Sequence, residues 1–339
     1  DGTLVFDRSD PAYTFGGTIS GTGAVEQAGT GTTILTGDST YAGGTTISDG
    51  TLQLGNGGTT GSIVGDLTND GTLAFNPSDI VTFDGLISGT GNVEQSGPGI
   101  TILEGDNSYA GSTTISNGWL YIDGDQSGAT GDTVAESGTR LGGDGIIGGN
   151  VTIESGATLA PGALPGAPAT LTINGDLTLG ANSTLSYNMV QANVVGGQSN
   201  DVTVVGGDLV LDGIINIIDE GQTLGPGVYR VINCSGELTD NELEIGSFVV
   251  SPTTPQETPV PTRPLTGFSV QTAIPGQVNL INTAGLTLNY WDGDDGPKND
   301  GVINGGDGIW RHAGPLATFN WTDAGGSVNA PWAEGRFAI

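Results

Sequence analysis

The chain has 339 residues, of which 37 are acidic and 7 basic, so its formal net charge is −30. Proteins bind phosphate backbones and anionic membrane surfaces through Lys and Arg, so this balance argues against nucleic acid or such a membrane as partner. No apolar run approaches the roughly 20 residues of a membrane helix, so we expect no membrane-spanning segment in this sequence. The single cysteine, Cys234, excludes an intrachain disulfide, and its apolar surroundings predict a buried side chain.

The composition predicts an all-β protein. Glycine occurs 62 times, beside abundant Thr, Ser, Asn and Asp and an apolar fraction made mostly of Val, Ile and Leu. This mixture is typical of short strands joined by tight turns. Glycine does not recur at every third position, which excludes collagen, and no 3.6-residue apolar period indicates a helix.

An internal repeat dominates the first third of the chain. Residues 20–48 and 88–116 are nearly the same sequence, displaced by 68 residues from Ser20 to Ser88. Within the repeat, a turn followed by a strand recurs in steps of 18 to 21 residues, for example at Asp49 and Asp70. A fixed period of this size indicates stacked structural units, and we predict about three coils per repeat.

Apolar and polar residues alternate within the short strands. Leu52 and Leu54 share one face of their strand, as do Leu120 and Ile122 of theirs. A coil with one apolar face cannot bury that face alone, whereas stacked parallel coils can. We therefore predict a parallel β-helix, since the steps are too short for the blades of a propeller.

The same alternation places Trp119 and Tyr121 on the outward face of their strand. The first repeat has Thr51 and Gln53 at these positions, so the two aromatic residues are specific to the second copy. We predict an exposed binding patch there, although isolated exposed aromatic residues are common and need no function.

The chain divides by composition into three parts. Residues 1–141 carry the repeats, residues 142–290 continue the β-pattern, and residues 291–339 form a tail rich in Gly, Asp and Trp. Five prolines fall within residues 251–266, which predicts an excursion from the coils because proline removes ladder donors. The chain begins in mid-pattern, so we expect it to be a piece of a longer protein.

The tail offers oxygen ligands of the kind that calcium prefers. Asp292, Asp294, Asp295, Asn299 and Asp300 lie among glycines that let a loop wrap around an ion. The spacing is not that of an EF-hand, and a solvated acidic loop is the alternative. Calcium is the one cofactor that the sequence suggests.

Two kinds of segment resemble the passenger domains of bacterial autotransporters. Residues 36–55, TGDSTYAGGTTISDGTLQLG, and 104–122, EGDNSYAGSTTISNGWLYI, resemble the passenger-associated repeat. Residues 148–166, GGNVTIESGATLAPGALPG, and the β-pattern after them are similar to the later part of such passengers. The resemblance implies a right-handed parallel β-helix, secreted and displayed on the surface of a Gram-negative bacterium.

Enzymatic alternatives find little support in the residues. The sequence at Ser39 resembles the nucleophile block of lipase-like passengers, but the matching position in the second repeat is Asn107. An activated serine needs a partner such as histidine, and the single histidine, His312, lies in the remote tail. Polysaccharide lyases need a basic residue near the bound uronate, and the seven basic residues are scattered: Arg8, Arg140, Arg230, Arg263, Lys298, Arg311 and Arg336.

The expected function is therefore that of a non-enzymatic stalk or adhesin. Its expected partners are host or neighbouring-cell surface molecules, or other copies of itself. A self-assembling extracellular filament or surface-layer subunit is the first alternative, and a polysaccharide-cleaving β-helix enzyme is the second.

Overall fold

All regular elements of the described part of the chain are β-strands. The computed structural model describes residues 2–162, 166–219, 221, 223–250, 254, 257, 259–286, 290–293, 296–305 and 319–331. In chain order, the strands of this part are β1 (Thr3–Phe6), β2 (Tyr13–Phe15), β3 (Ala24–Gln27), β4 (Thr32–Leu35), β5 (Thr45–Ile47), β6 (Thr51–Gly58), β7 (Leu67–Asn69), β8 (Thr72–Pro77), β9 (Ile80–Phe83), β10 (Ile87–Ser88), β11 (Asn92–Gln95), β12 (Ile100–Leu103), β13 (Thr113–Ile115), β14 (Trp119–Ile122), β15 (Asp125–Gln126), β16 (Thr133–Ala135), β17 (Arg140–Gly143), β18 (Ile146–Ile147), β19 (Val151–Ile153), β20 (Thr158–Pro161), β21 (Thr170–Ile173), β22 (Leu177–Leu179), β23 (Thr184–Tyr187), β24 (Val202–Val205), β25 (Leu209–Leu211), β26 (Ile214–Ile218), β27 (Gly227–Cys234), β28 (Leu238–Asp240), β29 (Glu244–Val250), β30 (Val260–Pro264), β31 (Phe268–Gln271), β32 (Gln277–Asn282), β33 (Tyr290–Trp291), β34 (Trp321–Thr322) and β35 (Asn329–Ala330). None of the described residues forms a helix that could cross a bilayer.

The strands stack into long ladders. Sheet A contains β1, β3, β5, β7 and β10. Sheet B has eleven strands, running β2-β4-β6-β8-β11-β13-β16-β19-β22-β25-β28. Sheet C has nine, from β9 through β12, β14, β17, β20, β23, β26 and β29 to β30, and sheet D joins β15, β18, β21, β24, β27, β32 and β31. Because successive strands of one sheet come from successive coils and run parallel, the predicted parallel β-helix is confirmed.

Coil length is regular at first and then increases. Val93 pairs with Leu73 of the preceding coil and with Thr113 of the following one. Hydrogen bonds between equivalent positions of adjacent coils span 20 residues at Ile87 and Asn107 and 18 residues at Asp132 and Asn150. Later coils are longer, with equivalent bonds spanning 26 and 32 residues. The short steps predicted for the repeat region are thus confirmed.

The 68-residue repeat is not a whole number of coils. Val25 lies in sheet A and its counterpart Val93 in sheet B, while Leu52 lies in sheet B and Leu120 in sheet C. The repeat therefore contains one strand more than the predicted three coils. Each residue of the second copy thus lies on the next sheet around the helix from its counterpart in the first copy. A strand followed by a turn presents the same inward alternation on every face, so nothing in the local sequence fixes which face it occupies.

Glycine lets adjacent coils approach closely at the corner that precedes sheet B. A Cβ atom built on Gly131 would lie 1.9 Å from the carbonyl oxygen of Gly111, and one on Gly111 would lie 2.2 Å from that of Gly91. Asn and Asp side chains close the same corner. The Asn92 Oδ1 accepts from the Ser112 N–H at 3.0 Å, and the Asp176 Oδ1 accepts from the Asp208 N–H at 2.8 Å. The glycine and the Asn/Asp content of the chain therefore serve the stacking of coils.

One apolar core runs along the inside of the helix. It is formed by inward residues of every ladder, such as Leu35, Ile47, Leu73, Leu141 and Leu209, all with no exposed surface. Cys234 is buried at its edge, as predicted, and is a free thiol.

Antiparallel strands end the ladders at the C-terminal side. In sheet D, β32 pairs antiparallel with β27 and β31. In sheet C, β30 pairs antiparallel with β29, so part of the predicted excursion at residues 251–266 is itself a strand that folds back on the coils. The boundary predicted between residues 141 and 142 falls inside β17, and sheets B and C continue through it.

Candidate functional site

The outward face of sheet C carries the aromatic pair that the sequence singles out. Trp119 and Tyr121 point away from the main core and form a separate apolar cluster with Ile100 and the partly buried Ile102. They are, however, only 4% and 2% exposed. The prediction of an exposed patch at these two residues is therefore wrong.

Residues of the next coil cover Trp119 and Tyr121 and shield the two rings from solvent. Arg140 is the ladder partner of Trp119 in the next coil, and its guanidinium carbon lies 4.9 Å from the centroid of the indole ring. Gly142 is the partner of Tyr121, and a Cβ atom there would approach the tyrosine ring carbon Cε1 to 2.8 Å. The missing side chain at Gly142 lets the Tyr121 ring lie over the next coil. The alternation of residues within one strand predicts the direction in which each side chain points. It does not predict which residues of adjacent coils lie beside that side chain.

A cavity of about 240 Å³ opens beside this pair. Its walls come from several coils of sheet C, including Trp119, Arg140, Ser186 and Asn216. Glu257 and Pro259, from the returning segment at residues 251–266, complete it. The cavity therefore depends on residues that are more than a hundred positions apart in the sequence.

Arg140 stands out among the five basic residues that the structure describes. Arg8 pairs with Asp10 at 2.6 Å and Arg263 with Asp219 at 3.4 Å. The other two donate to neutral oxygens, Arg230 to side-chain oxygens such as that of Asn279 and Lys298 to backbone carbonyls. Arg140 is 7% exposed, and no described residue accepts a hydrogen bond from its guanidinium; the Nε–H is buried without a partner.

Two further polar groups lie near Arg140. The Ser186 hydroxyl lines the same cavity, is buried, and also has no hydrogen-bond partner among the described residues. Asp201 accepts from the backbone N–H groups of Asn188 at 2.6 Å and Ala169 at 2.8 Å. Burial raises the pKa of Asp201 to about 7, against the opposing effect of those hydrogen bonds and of the Arg140 charge.

Sequence reasoning named Arg140 only as one of several scattered cations. The signal that could have found it is the coil length, because counting one coil on from Trp119 reaches Arg140 on the same outward ladder. The cavity and its Ser186 hydroxyl could not have been found in this way, since they depend on the later, longer coils.

The predicted calcium loop is described only in part. Asp294 and Asp295 lie outside the described residues. The Asp292 carboxylate is 1% exposed and accepts from the Asn304 N–H and the Asn329 side-chain amide, each at 2.8 Å. The Lys298 ammonium donates to the carbonyl oxygens of Asp292 and Gly293.

The other two predicted ligands have local structural roles. Asn299 exchanges hydrogen bonds with Asn329, and the Asp300 carboxylate accepts from the Val302 N–H at 2.9 Å. Among the described residues, no three His, Cys, Asp or Glu side chains are gathered as a metal site would require. Calcium binding stays a prediction.

The segment around Ser39 is structural. Ser39 is 1% exposed, and its hydroxyl accepts from the Ile19 N–H and donates to the Gly37 carbonyl oxygen. The Asp38 carboxylate accepts from the Gly61 and Ser62 N–H groups, which lower its pKa. His312 lies outside the described residues. The bonds to Ile19, Gly61 and Ser62 join adjacent coils, as the turn interpretation of the motif expects.

The fold and these sites define a parallel β-helix that is stabilised by coil stacking and carries a polar cavity on one face. Comparison with known proteins is consistent with this class. A family model described as the passenger-associated-transport-repeat matches residues 25–54 and 93–122. The chain is also 47% identical over 304 residues to a protein of Brucella suis biovar 1 (strain 1330) named "Adhesin BmaC autotransporter".

That match covers 88% of this chain but 8% of the relative, so the chain corresponds to a short part of such a protein. The two findings confirm the resemblance to autotransporter passenger domains that the repeat sequences indicate. The similarity to an autotransporter adhesin implies display at the cell surface of a Gram-negative bacterium.

Proposed function

We propose that the chain is a non-enzymatic module of a surface adhesin, a stiff stalk that holds or forms an attachment surface. The observation that carries the proposal is the unbroken sheet B, which runs through eleven parallel strands from β2 to β28 over one continuous core. At about 4.8 Å per coil, this ladder extends over roughly 50 Å. Bending it would break hydrogen bonds between coils, so the module is suited to carrying load.

The surface chemistry favours a soluble, extended rod. The net charge of −30 disfavours lateral clumping of copies. Antiparallel strands end sheets C and D at the C-terminal side, which hinders edge-to-edge growth there. The partners that this arrangement supports are molecules of other cell surfaces, which the relative's name as an adhesin also favours.

Attachment can be tested with the chain alone. Beads coated with the purified 339-residue chain should bind to cultured animal cells more than beads coated with the same chain after heat unfolding. Equal binding of the two bead types would contradict an adhesive role of the folded module.

Two further measurements separate the alternatives. A monomeric rod gives a sedimentation mass that is independent of concentration, whereas a filament or surface-layer subunit gains mass as concentration rises. Release of reducing ends from a panel of polysaccharides would contradict the non-enzymatic assignment.

A further inference from the structure

We propose that the cavity beside Trp119 is a binding site for a small carboxylate ligand of the sugar-acid class, held by Arg140. The first argument is the state of the Arg140 side chain. It is more than nine-tenths buried, and no described residue accepts a hydrogen bond from its guanidinium. Arg140 interacts electrostatically with Asp201 and lies beside the Trp119 ring, but neither group accepts a hydrogen bond from its buried Nε–H. A buried donor without a hydrogen-bond partner is unfavourable, and an anion bound in the cavity would satisfy it.

The geometry favours a carboxylate. Guanidinium presents its N–H donors as a planar fork that matches the two oxygens of a carboxylate. The Trp119 ring lies 4.9 Å from the Arg140 guanidinium carbon and so restricts its orientation. A singly charged ligand also suits the negative surroundings, because Glu257 lines the same cavity and the protein carries a charge of −30.

The size and the remaining walls favour a single sugar ring. The cavity of about 240 Å³ is smaller than the range of roughly 300–1,000 Å³ that holds drug-sized ligands. Its walls carry the hydroxyl groups of Thr158, Thr184 and Ser186 and the side-chain amide of Asn216. The Ser186 hydroxyl is buried without a partner among the described residues, so a ligand hydroxyl would satisfy it.

The assignment of this ligand to cell attachment rests on the proposed function, whereas the binding itself is independent of it. The probe is glucuronate, titrated calorimetrically into the full chain. We expect saturable binding at millimolar concentration, and none with glucose, which has the same ring without the carboxylate. Acetate should bind more weakly than glucuronate, because it lacks the hydroxyl groups.

Variants separate this site from general electrostatics. Arg140→Met should weaken glucuronate binding roughly tenfold or more, since it removes the charge-assisted hydrogen bonds. Arg8→Met makes the same change of net charge at an exposed arginine that pairs with Asp10, and should leave binding unchanged. Glu257→Gln should strengthen binding by removing a like charge, and Ser186→Ala should weaken it if Arg140→Met does not fold.

The thermal stability of the ligand-free variants gives an independent measurement. Arg140→Met should melt at the same temperature as the parent chain or above it, because Met keeps apolar cover over Trp119 and the change removes a buried N–H donor that has no hydrogen-bond partner. A clear loss of stability would mean that the guanidinium has a structural role, and would overturn the proposal.

Three binding results would also overturn it. These are no saturable glucuronate binding to the folded chain, equal weakening by Arg140→Met and Arg8→Met, or acetate binding as tight as that of glucuronate. Glucuronate binding without attachment of coated beads to cells would instead contradict only the adhesive function.

Discussion

Tyr41 and Tyr109 hold the same position in the two copies of the repeat, yet they fill different faces of the β-helix. Tyr41 follows β4 of sheet B, whereas Tyr109 follows β12 of sheet C. Each ring is buried, and each hydroxyl lies 2.6 Å from a threonine Oγ1, that of Thr45 or Thr113. The repeat therefore preserves a local packing unit rather than a place on the helix.

Because the same tyrosine–threonine contact occurs in both copies of the repeat, we predict that removing it destabilises the chain by a similar amount in each copy. Tyr109→Phe should destabilise the chain by about 1–2 kcal/mol, because it leaves the buried Thr113 hydroxyl without that partner. Burial raises the pKa of Tyr109 to about 12, so the hydroxyl remains protonated over the usual range of pH. Tyr41→Phe should cost a similar amount, as measured by urea unfolding followed by circular dichroism.

A double-mutant cycle gives the control. Replacing both partners, Tyr109→Phe with Thr113→Val, should cost less than the sum of the two single changes, because no buried hydroxyl of this pair is then left unpaired. Strict additivity would contradict a coupling between the two hydroxyls.

How far the sequence predicts this molecule depends on whether a feature is local. Inward alternation, as at Leu120 and Ile122, and the stacked coils follow from residues within one coil and its repeat. The extra strand in the 68-residue repeat does not, because every face accepts the same strand and turn. The exposure of Trp119 was predicted wrongly because its cover comes from Arg140 in the next coil, and its cavity is completed by Glu257.

The glycines stacked at the corner that precedes sheet B predict that even the methyl group of an alanine would strongly destabilise the chain there. Gly131→Ala places a Cβ 1.9 Å from the carbonyl oxygen of Gly111, so the backbone of adjacent coils must move apart. Overpacking of this kind costs about 1–3 kcal/mol and sometimes more. Gly58→Ala is the control, since a Cβ there meets no atom within 4 Å. Thermal melts that show equal effects of the two substitutions would contradict close stacking at this corner.

Calcium binding by the acidic loop can be tested directly. Calcium would have to compete with the Lys298 ammonium, which already donates to the carbonyl oxygens of Asp292 and Gly293. If the loop binds calcium, millimolar calcium should raise the melting temperature of the chain, and Asp300→Asn should reduce that shift. Lys298→Met should enlarge it, because it removes the competing cation. No calorimetric heat and no thermal shift would end the prediction.

The buried carboxyl group of Asp201 predicts that the chain loses stability as the pH rises through neutrality. Burial raises its pKa to about 7, above the value of about 3.9 expected in the unfolded chain. Between these values the folded state binds more protons than the unfolded state, so stability falls as the pH increases from about 4 to about 7. The loss is complete once Asp201 is ionised in both states.

Asp201→Asn should therefore reduce the difference in melting temperature between pH 5 and pH 8. The variant also loses an acceptor for one of the two backbone N–H groups, of Asn188 or Ala169, which lowers stability at both pH values alike. Asp70 is the control, because hydrogen bonds from the Thr90 N–H and hydroxyl lower its pKa. Its stabilising contribution is lost only on acidification, so Asp70→Asn should leave the difference between pH 5 and pH 8 unchanged. An undiminished difference in Asp201→Asn would show that other groups cause the loss.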